Sequence, residues 1–284
     1  MTADASTTLT PASTSGITPA GTAWTATGEG EAVVLIHGVG MQQGVWAPQV
    51  AHLARTHRVV VYDMLGHGAS QAAIGVPVLA DYAQQLLDLL DALDIASANV
   101  AGHSMGALVA LELALTHPAR TRRVAALNAV YRRTPAQREA VLARAQALRQ
   151  QGAPATAGPT LARWFGDPVP PALQSAAAEV AGYLERVQPQ GYAQAYAVFA
   201  SADEAHVGQL GQLAMPALFA TGEFDANSSP AMAQSMAAEV RGAVVEVVAG
   251  ARHMMNVTDA EAVNAILSHW LATPTGVGGR ATWM

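Results

Sequence analysis

Short apolar runs alternate along the chain with longer segments in which apolar residues recur at helical spacing. Six such runs, bounded by turn residues, indicate buried strands at residues 33–36, 59–62, 99–101, 124–128, 217–221 and 244–248. The segments between them include residues 78–93, whose leucines fall on one face of a helix. This alternation predicts an α/β fold, in which helices cover both faces of a mainly parallel, twisted sheet.

Residues 131–205 interrupt the alternation. They contain no credible core strand but several helical patterns, separated by Pro, Gly and Asp residues that start and stop helices. This insertion predicts a helical cap between two core strands, lying over one edge of the sheet; a set of ordinary packing helices is the alternative. The core is then expected in two parts, residues 17–130 and 206–272. Residues 1–16, rich in Ser, Thr, Ala and Pro, predict a disordered tail, and residues 273–284 a loose C-terminal tail.

Composition narrows the range of functions. Of the 284 residues, 51% are hydrophobic and 13% are charged, and the formal net charge is −6. A chain this acidic and sparsely charged is not expected to bind nucleic acid. The absence of cysteine excludes disulfides and thiolate sites. No apolar run approaches the roughly 20 residues of a membrane span and no secretory signal is visible, so we expect a cytoplasmic protein without a membrane partner. Nothing in the sequence indicates the oligomeric state.

The stretch "NVAGHSMGALVAL", residues 99–111, places a polar His-Ser pair between two glycines, where a strand turns into a helix. A reversal this tight forces its central residue, Ser104, towards a positive φ, which is costly for any residue but glycine. Gly102 and Gly106 remove the side chains that would otherwise collide across the bend. Such strain suggests a serine hydroxyl that must project into a cleft.

Two further polar side chains follow later strands. Asp225 lies just beyond the strand at 217–221, and His253 follows the strand at 244–248. Because the carboxyl ends of parallel strands meet at one edge of a sheet, we expect both side chains beside Ser104. The order Ser, acid, His is that of a nucleophile, an orienting acid and a base for acyl transfer. Glu223, nearer the strand end, is the rival acid.

Acyl transfer also needs donors for the oxyanion, and two backbone amides are candidates. Gly38 lets the chain turn after the strand at 33–36, so that the N–H of Val39 faces the cleft. The N–H of Met105 opens the helix after Ser104, where the helix dipole favours negative charge. His37 is expected to be structural. The nine histidines of the chain are scattered without forming a metal-binding motif, so we expect no metal and no cofactor.

Five motifs together, "HGVG", "YDMLGHGAS", "GHSMG", "GEFD" and "RHMMN", resemble the α/β-hydrolase superfamily over almost the whole chain between the tails. The resemblance implies the α/β-hydrolase fold and a triad of Ser104, Asp225 and His253. Three further stretches, "LARWFGD", "VQPQGYAQAYAVFASAD" and "HMMNV", look like those of 3-oxoadipate enol-lactonases. That narrower resemblance implies hydrolysis of a small lactone, ester or amide in the catabolism of aromatic compounds, and a substrate that bears a carboxylate.

The predicted cap is rich in aromatic residues and arginines for so sparsely charged a chain. Trp164 and Tyr196 are candidate walls of the substrate pocket, with a core internal to the cap as the alternative. An arginine fork is the natural partner of a carboxylate, so Arg133 and Arg163 are candidate substrate contacts; solvated helix faces are the alternative. The only partner that the sequence predicts is therefore a small-molecule substrate.

Two other classes of function remain open on the same scaffold. One is hydrolysis of a carbon–carbon bond or cofactor-free oxygenation. Meta-cleavage-product hydrolases resemble this chain in the core, but they commonly have tryptophan after the catalytic histidine, where this chain has Met254. The other is a ligand receptor with little turnover, which sustained catalysis would exclude.

Overall fold

An eight-stranded sheet forms the centre of the computed structural model, which describes residues 11–275 without the side chains of residues 153–155. Its strands are β1 (Ser13–Ile17), β2 (Ala23–Thr27), β3 (Ala32–Ile36), β4 (Arg58–Tyr62), β5 (Ala98–His103), β6 (Thr121–Leu127), β7 (Ala217–Gly222) and β8 (Val244–Val248). They lie in the order β1-β2-β4-β3-β5-β6-β7-β8. The last six in this order are parallel, whereas β1 pairs antiparallel with β2 and β2 antiparallel with β4. The six predicted strands form the parallel part, which confirms the predicted fold class.

The two central strands, β3 and β5, are buried at every residue. A strand covered by helices on both faces needs apolar or small side chains at successive positions, and the Val, Leu, Ile and Ala residues of these strands meet that need. Val34 lies opposite Val100, and Leu35 opposite Ala101. The chain runs from β3 to β4 on one side of this pair and from β5 to β6 on the other side. The loops that follow β3 and β5 therefore diverge and leave a crevice at the carboxyl edge of the sheet.

The helices of the described residues are α1 (Ala47–Leu53), α2 (Leu79–Ala92), α3 (Met105–Thr116), α4 (Pro135–Gln151), α5 (Ala153–Phe165), α6 (Gln174–Arg186), α7 (Pro189–Ser201), α8 (Pro230–Ala238), α9 (Met255–Thr258) and α10 (Ala260–Ala272). Helix α2 is amphipathic: Leu79, Leu86 and Leu90 are buried, and Asp81 Oδ2 accepts the N–H of Val78 at 2.7 Å. Helix α3 is apolar nearly all round because it packs between α2 and the strands β5 and β6. Within the described part, no helix has the length and apolar character to cross a bilayer.

Helices α4 to α7 form the cap and occupy the chain between β6 and β7. The cap begins with a capping box, in which Thr134 Oγ1 accepts the N–H of Gln137 at 3.3 Å and Gln137 Oε1 accepts the N–H of Thr134 at 2.9 Å. Helix α4 packs against α5 and α7, and α5 against α6. At the start of α7, the backbone of Gly191 touches that of Gly66, and a Cβ on either residue would overlap the other. The cap therefore contacts the core directly at this point.

The N-terminal region differs from the prediction. The sequence predicts a disordered tail over residues 1–16, but residues 13–16 lie in β1, which pairs with β2 from Ser13 opposite Thr27 to Ile17 opposite Ala23. The hydrophobic pattern indicates neither strand, because β1 is polar and mostly exposed and is held by backbone hydrogen bonds to β2. Residues 1–10 of the predicted tail lie outside the described residues.

The C-terminal region also differs at its start. The sequence predicts a loose tail from residue 273, but Thr273 is buried and its carbonyl accepts a hydrogen bond from Arg123 Nε at 2.8 Å. Arg123 Nη1 also bonds Glu31 Oε1 at 2.9 Å and Asn99 Oδ1 at 2.7 Å. The end of α10 is thus joined to the sheet by a contact across 150 positions of the chain, which no local pattern predicts. Residues 276–284 lie outside the described part.

Candidate active site

Ser104 occupies a tight turn between β5 and α3. Its φ of 56° and ψ of −116° lie in a region that side chains rarely adopt. A Cβ on Gly102 would overlap the carbonyl oxygen of Gly106, and a Cβ on Gly106 would overlap the carbonyl oxygen of Ile36. The strand, the turn and the helix approach this closely only because glycine stands on both sides of Ser104. The turn therefore holds the serine hydroxyl rigidly at the carboxyl edge of the sheet.

His253 and Asp225 lie beside this hydroxyl. His253 Nε2 is 3.2 Å from Ser104 Oγ, and His253 Nδ1 is 2.8 Å from Asp225 Oδ2. All three side chains are buried. Because the carboxylate of Asp225 accepts the proton on Nδ1, the lone pair on Nε2 points to the serine hydroxyl. The arrangement is that of a nucleophile, a base and an orienting acid.

The carboxylate of Asp225 receives four hydrogen bonds. Besides His253 Nδ1, Asn128 Nδ2 donates to Oδ2 at 2.8 Å, and the backbone N–H groups of Asn227 and Ser228 donate to Oδ1 at 2.8 and 3.1 Å. Burial opposes the ionisation of Asp225, but the charge of His253 and these hydrogen bonds outweigh it and hold the pKa of the carboxyl below its usual value. Glu223, the rival acid, instead accepts the N–H of Gly250 at 2.8 Å on an exposed loop.

His103 lies against His253 and holds its backbone. Its Nε2–H donates to the carbonyl of His253 at 2.7 Å, and the centroids of the two rings lie 4.9 Å apart. Burial, followed by the neighbouring His253, lowers the pKa of His103 to about 3, so this ring is neutral. It therefore holds the backbone of His253 without adding a charge next to it. Among the side chains of the described residues, no group of three or more His, Asp or Glu is arranged to hold a metal ion.

The loop after β3 passes next to Ser104. A Cβ on Gly38 would lie 3.2 Å from Ser104 Cβ. Two imidazoles fix this loop: the N–H of Gly40 donates to His67 Nε2 at 3.0 Å, and His37 Nε2 accepts the N–H of Met64 at 2.9 Å. His37 therefore has a structural role.

Of the two amides expected to bind the oxyanion, that of Met105 directly follows Ser104, and that of Val39 follows Gly38, which approaches Ser104. Val39 lies in this loop between Gly38 and Gly40. Met105 is the first residue of α3, so its N–H is one of the four amides that have no acceptor within the helix. This geometry leaves Val39 and Met105 as the candidate donors to a developing oxyanion.

Two aromatic residues of the cap cover the site. The indole of Trp164 stacks on the His253 ring, with 5.5 Å between centroids and 27° between planes. Tyr192 lies against the loop after β3, where a Cβ on Gly40 would be 2.9 Å from Tyr192 Cε2. Helices α5 and α7 thus form a roof over His253 and the loop after β3.

A cavity of about 200 Å³ lies within the cap next to this roof. Arg163 and Tyr196, both sequence candidates, line it together with Arg144 and Tyr192. Arg144 Nε donates to the hydroxyl of Tyr196 at 3.2 Å. Tyr192 lies between this cavity and the loop after β3.

Arg133 lies elsewhere and does not face the site. Its Nη1 bonds Asp203 Oδ1 and the carbonyls of Phe199 and Ala200, each at 3.2 Å. The guanidinium carbon lies 4.6 Å from the centroid of the Phe199 ring. The carboxylate of Asp203 already pairs with the guanidinium group that a substrate carboxylate would have to bind. The structure thus pairs Arg133 with a carboxylate 70 positions later in the chain, which does not support the prediction that Arg133 contacts the substrate.

Sequence reasoning missed Asn128, His103 and Arg144. Asn128 lies just after β6, at the same sheet edge as Ser104, and that strand-end position was an available signal. Arg144 has no comparable signal, because an arginine on a predicted helix is usually solvated. Only the packing of α4 against α5 and α7 turns it towards a cavity.

Comparison with known proteins identifies the family of the chain. Residues 31–260 match the family model described as the alpha/beta hydrolase fold. The (E)-2-((N-methylformamido)methylene)succinate hydrolase of Acinetobacter baylyi is 39% identical over 87% of this chain and 92% of its own length. The 3-oxoadipate enol-lactonase 1 of the same organism is 31% identical over 84% of this chain and 87% of its own.

A solved structure extends the comparison to three dimensions. The crystal structure of the enol-lactonase from Burkholderia xenovorans LB400 aligns with a TM-score of 0.82 and 29% identity, covering 92% of this chain and all (100%) of that one. Matches of this length include both the core and the cap. The predicted superfamily is confirmed: the chain is a hydrolytic enzyme and belongs to the α/β-hydrolase family.

Proposed function

We propose that the protein hydrolyses small lactones, esters or amides through an acyl-enzyme on Ser104. Ser104 Oγ attacks the carbonyl carbon while His253 Nε2 takes the hydroxyl proton, and Asp225 stabilises the imidazolium that forms. The N–H groups of Val39 and Met105 bind the oxyanion. His253 then protonates the departing oxygen or nitrogen. A water molecule, deprotonated by His253, attacks the acyl carbon and releases the acid with Ser104 restored.

The observation that carries this proposal is the hydrogen-bonded chain from Ser104 Oγ through both nitrogens of His253 to Asp225 Oδ2, at 3.2 and 2.8 Å. The stacked indole of Trp164 supports it further, because a base shielded from bulk water transfers protons to the substrate rather than to solvent. The names of two relatives point to the same range of substrates. One is a lactonase, and the other is a hydrolase of an amido-substituted methylenesuccinate.

A fluorophosphonate probe and a panel of small lactones, esters and amides test the proposal. We expect the probe to label the wild type and not Ser104→Ala. We also expect Ser104→Ala to lower kcat by a factor on the order of 10⁶, as the loss of a triad serine does elsewhere. Residual activity above a few per cent would assign the nucleophile elsewhere. A single turnover without further release of product would favour a ligand receptor.

A further inference from the structure

Two imidazoles join the loops that follow β3 and β4. His37 belongs to the first of these loops, and its Nε2 accepts the N–H of Met64 in the second loop at 2.9 Å. His67 belongs to the second loop, and its Nε2 accepts the N–H of Gly40 in the first loop at 3.0 Å. The centroids of the two rings lie 5.2 Å apart. Each loop therefore supplies one ring that holds the backbone of the other loop.

The other nitrogen of each ring donates a hydrogen bond within its own loop. His37 Nδ1–H donates to the carbonyl of Gly38 at 2.7 Å. His67 Nδ1–H donates to the carbonyl of Leu65 at 3.0 Å. One donor and one acceptor per ring match the neutral form of imidazole, and burial lowers the pKa of both rings below its usual value. All four hydrogen bonds are therefore present at neutral pH.

The hydrogen bond of His37 fixes the peptide unit that contains the N–H of Val39. A trans peptide unit is planar, and its carbonyl and its N–H point in opposite directions. The carbonyl of this unit belongs to Gly38, and besides His37 Nδ1–H it accepts the N–H of Met41 at 3.2 Å. The N–H of Val39 therefore points away from His37, and it makes no hydrogen bond within residues 11–275.

The hydrogen bond of His67 fixes the next peptide unit, which contains the N–H of Gly40. Gly40 has a φ of 81° and is the third residue of the hydrogen-bonded turn that begins at Gly38. Glycine at this position is typical of a type II turn. A Cβ on Gly40 would lie 2.9 Å from Leu184 Cδ2 and from Tyr192 Cε2. Gly40 therefore contacts His67 through its N–H and the cap through its α-carbon.

Val39 lies between these two fixed peptide units. Because both planes are held, neither backbone torsion of Val39 can rotate freely, and its N–H keeps one direction. Gly38, which precedes it, is close to the serine, since a Cβ on Gly38 would lie 3.2 Å from Ser104 Cβ. A donor that is already oriented needs no rearrangement when charge develops on the substrate, and this is the main source of the effect of an oxyanion site.

We propose that His37 and His67 are positioning residues of the oxyanion site, which fix the peptide units on either side of Val39 and so orient its N–H towards the developing oxyanion. The inference rests on the proposed acyl hydrolysis at Ser104 and adds two residues that neither touch the substrate nor transfer its protons. Loss of the nitrogen that holds the loop after β3 lowers kcat with little change in KM, because the oxyanion forms only after the substrate has bound.

Asparagine and glutamine substitutions separate the two nitrogens of each ring. The amide of asparagine reaches the position of Nδ1, that of glutamine reaches the position of Nε2, and either amide can donate or accept. His37→Asn keeps a donor for the Gly38 carbonyl, whereas His37→Gln keeps only the bond to the loop after β4. His67→Gln keeps an acceptor for the N–H of Gly40, whereas His67→Asn keeps only the bond within its own loop.

We expect the two histidines to rank their variants in opposite order. With p-nitrophenyl butyrate, kcat should fall about tenfold to a hundredfold for His37→Gln and His67→Asn, and by less than about threefold for His37→Asn and His67→Gln. Butylboronic acid forms a tetrahedral adduct with a serine hydroxyl, so its inhibition constant should rise by the factor by which kcat falls. His117→Gln is the control, because His117 is exposed beyond the far end of α3.

The His37 pair distinguishes positioning from a purely structural role. If His37 only joined the two loops, His37→Gln would be the more active variant, because it keeps the bond to Met64. An equal or reversed ranking in either pair would overturn the proposal for that histidine. Titration of Ser104 with a fluorophosphonate counts the folded sites, so that partial unfolding of a variant does not lower the measured kcat.

Val39→Pro tests the inference without any histidine variant. Proline has no N–H and is common at the second position of a type II turn, so this substitution removes the donor and suits the turn. We expect kcat to fall about 10²–10³-fold. A kcat within about threefold of the wild type would overturn the proposal, since the direction of that N–H could not then matter. Failure of the proposed hydrolysis is distinguishable, because Ser104→Ala would then keep its turnover.

Discussion

Asp225 and Glu223 lie two positions apart in the sequence, but in the structure they differ in burial and in their hydrogen-bond partners. Asp225→Asn would place an amide against His253 Nδ1, favour the wrong imidazole tautomer and leave the imidazolium without its counter-charge. We expect kcat to fall by a factor of about 10⁴. Glu223→Gln is the control, because Glu223 only accepts the N–H of Gly250, and its kcat should change less than about twofold. Steady-state kinetics on one ester measures both variants, and the reverse ranking would exclude Asp225 as the acid.

Asn128 is a positioning residue for the same carboxylate. It adopts a φ of 53°, which asparagine tolerates, and its amide donates to the oxygen that also accepts from His253. Asn128→Gly keeps this backbone conformation accessible and removes only the side chain. We expect the free energy of unfolding to fall by about 1.5–3 kcal/mol, since a buried hydrogen bond to a charged group is lost. We also expect the acidic limb of the plot of kcat/KM against pH to shift. A purely structural role of Asn128 would leave that limb unchanged.

The position of a single side chain could be predicted where the residue follows a strand. It could not be predicted where the role of the residue depends on a partner far away in the sequence. Ser104, Asp225 and His253 follow parallel strands, so their common edge could be derived from chain order. Arg133 follows β6 as closely as a catalytic residue would, yet Asp203 neutralises it. Arg144 shows the converse case, because its orientation depends on how α4 packs. Local sequence carries no information on either contact.

At the scale of elements, the turn between β5 and α3 depends on its glycines. Gly106→Ala would push a methyl group into the carbonyl oxygens of Ile36 and His37. We expect a loss of about 3 kcal/mol or more in the free energy of unfolding, since backbone atoms cannot yield as a flexible side chain does. Gly158→Ala is the contrasting case within α5, because apart from its chain neighbours and its own helix nothing lies within 4 Å of an added Cβ. Its free energy of unfolding should change by less than about 1 kcal/mol, because the helix propensity gained with alanine is offset by contact of the new Cβ with the ring of Pro159, and urea unfolding compares the two variants.

Elements were predictable in proportion to their apolar content. The apolar strands β3 to β8 and the helix α2 have clear patterns, and the structure contains all of them, although β8 is an edge strand in which only Val248 is buried. The hairpin of β1 and β2 is polar along β1 and is stabilised by backbone hydrogen bonds, which every sequence can form. The hydrophobic pattern therefore does not predict this hairpin, although the hairpin extends the sheet by two strands.

At the scale of the whole molecule, three buried histidines link stability to pH. Burial lowers the pKa of His37 to about 4 and that of His67 to about 3, and His103 behaves alike at about 3. These values lie below the unfolded value near 6.5, so the unfolded chain binds more protons between the two. The contribution of these three neutral histidines to stability is fully present above about pH 6.5 and is lost as the pH falls towards their pKa values in the folded protein. Each histidine should lower the free energy of unfolding by up to about 1.4 kcal/mol for each pH unit that the pH falls within that window.

Urea unfolding at pH 7, 6 and 5 measures this slope. His67→Gln is the informative variant, because it retains an acceptor for the N–H of Gly40 and removes one titrating ring. We expect its unfolding free energy to fall less steeply between pH 6.5 and 5 than that of the wild type. A wild-type stability that is flat over this range would show that the three rings are accessible to protons in the folded state.

The separation of the site residues along the chain bears on synthesis. Ser104 and His253 are 149 positions apart, and Asp225 precedes His253 by 28. A ribosome that adds about 5–20 residues per second completes Ser104, the proposed nucleophile, roughly 7–30 s before His253, the proposed base. Under the proposed mechanism, the nascent chain has during that interval a serine with no group to accept its proton. Hydrolysis by this mechanism begins only after β8 has been synthesised, so translation itself delays the first turnover until folding is nearly complete.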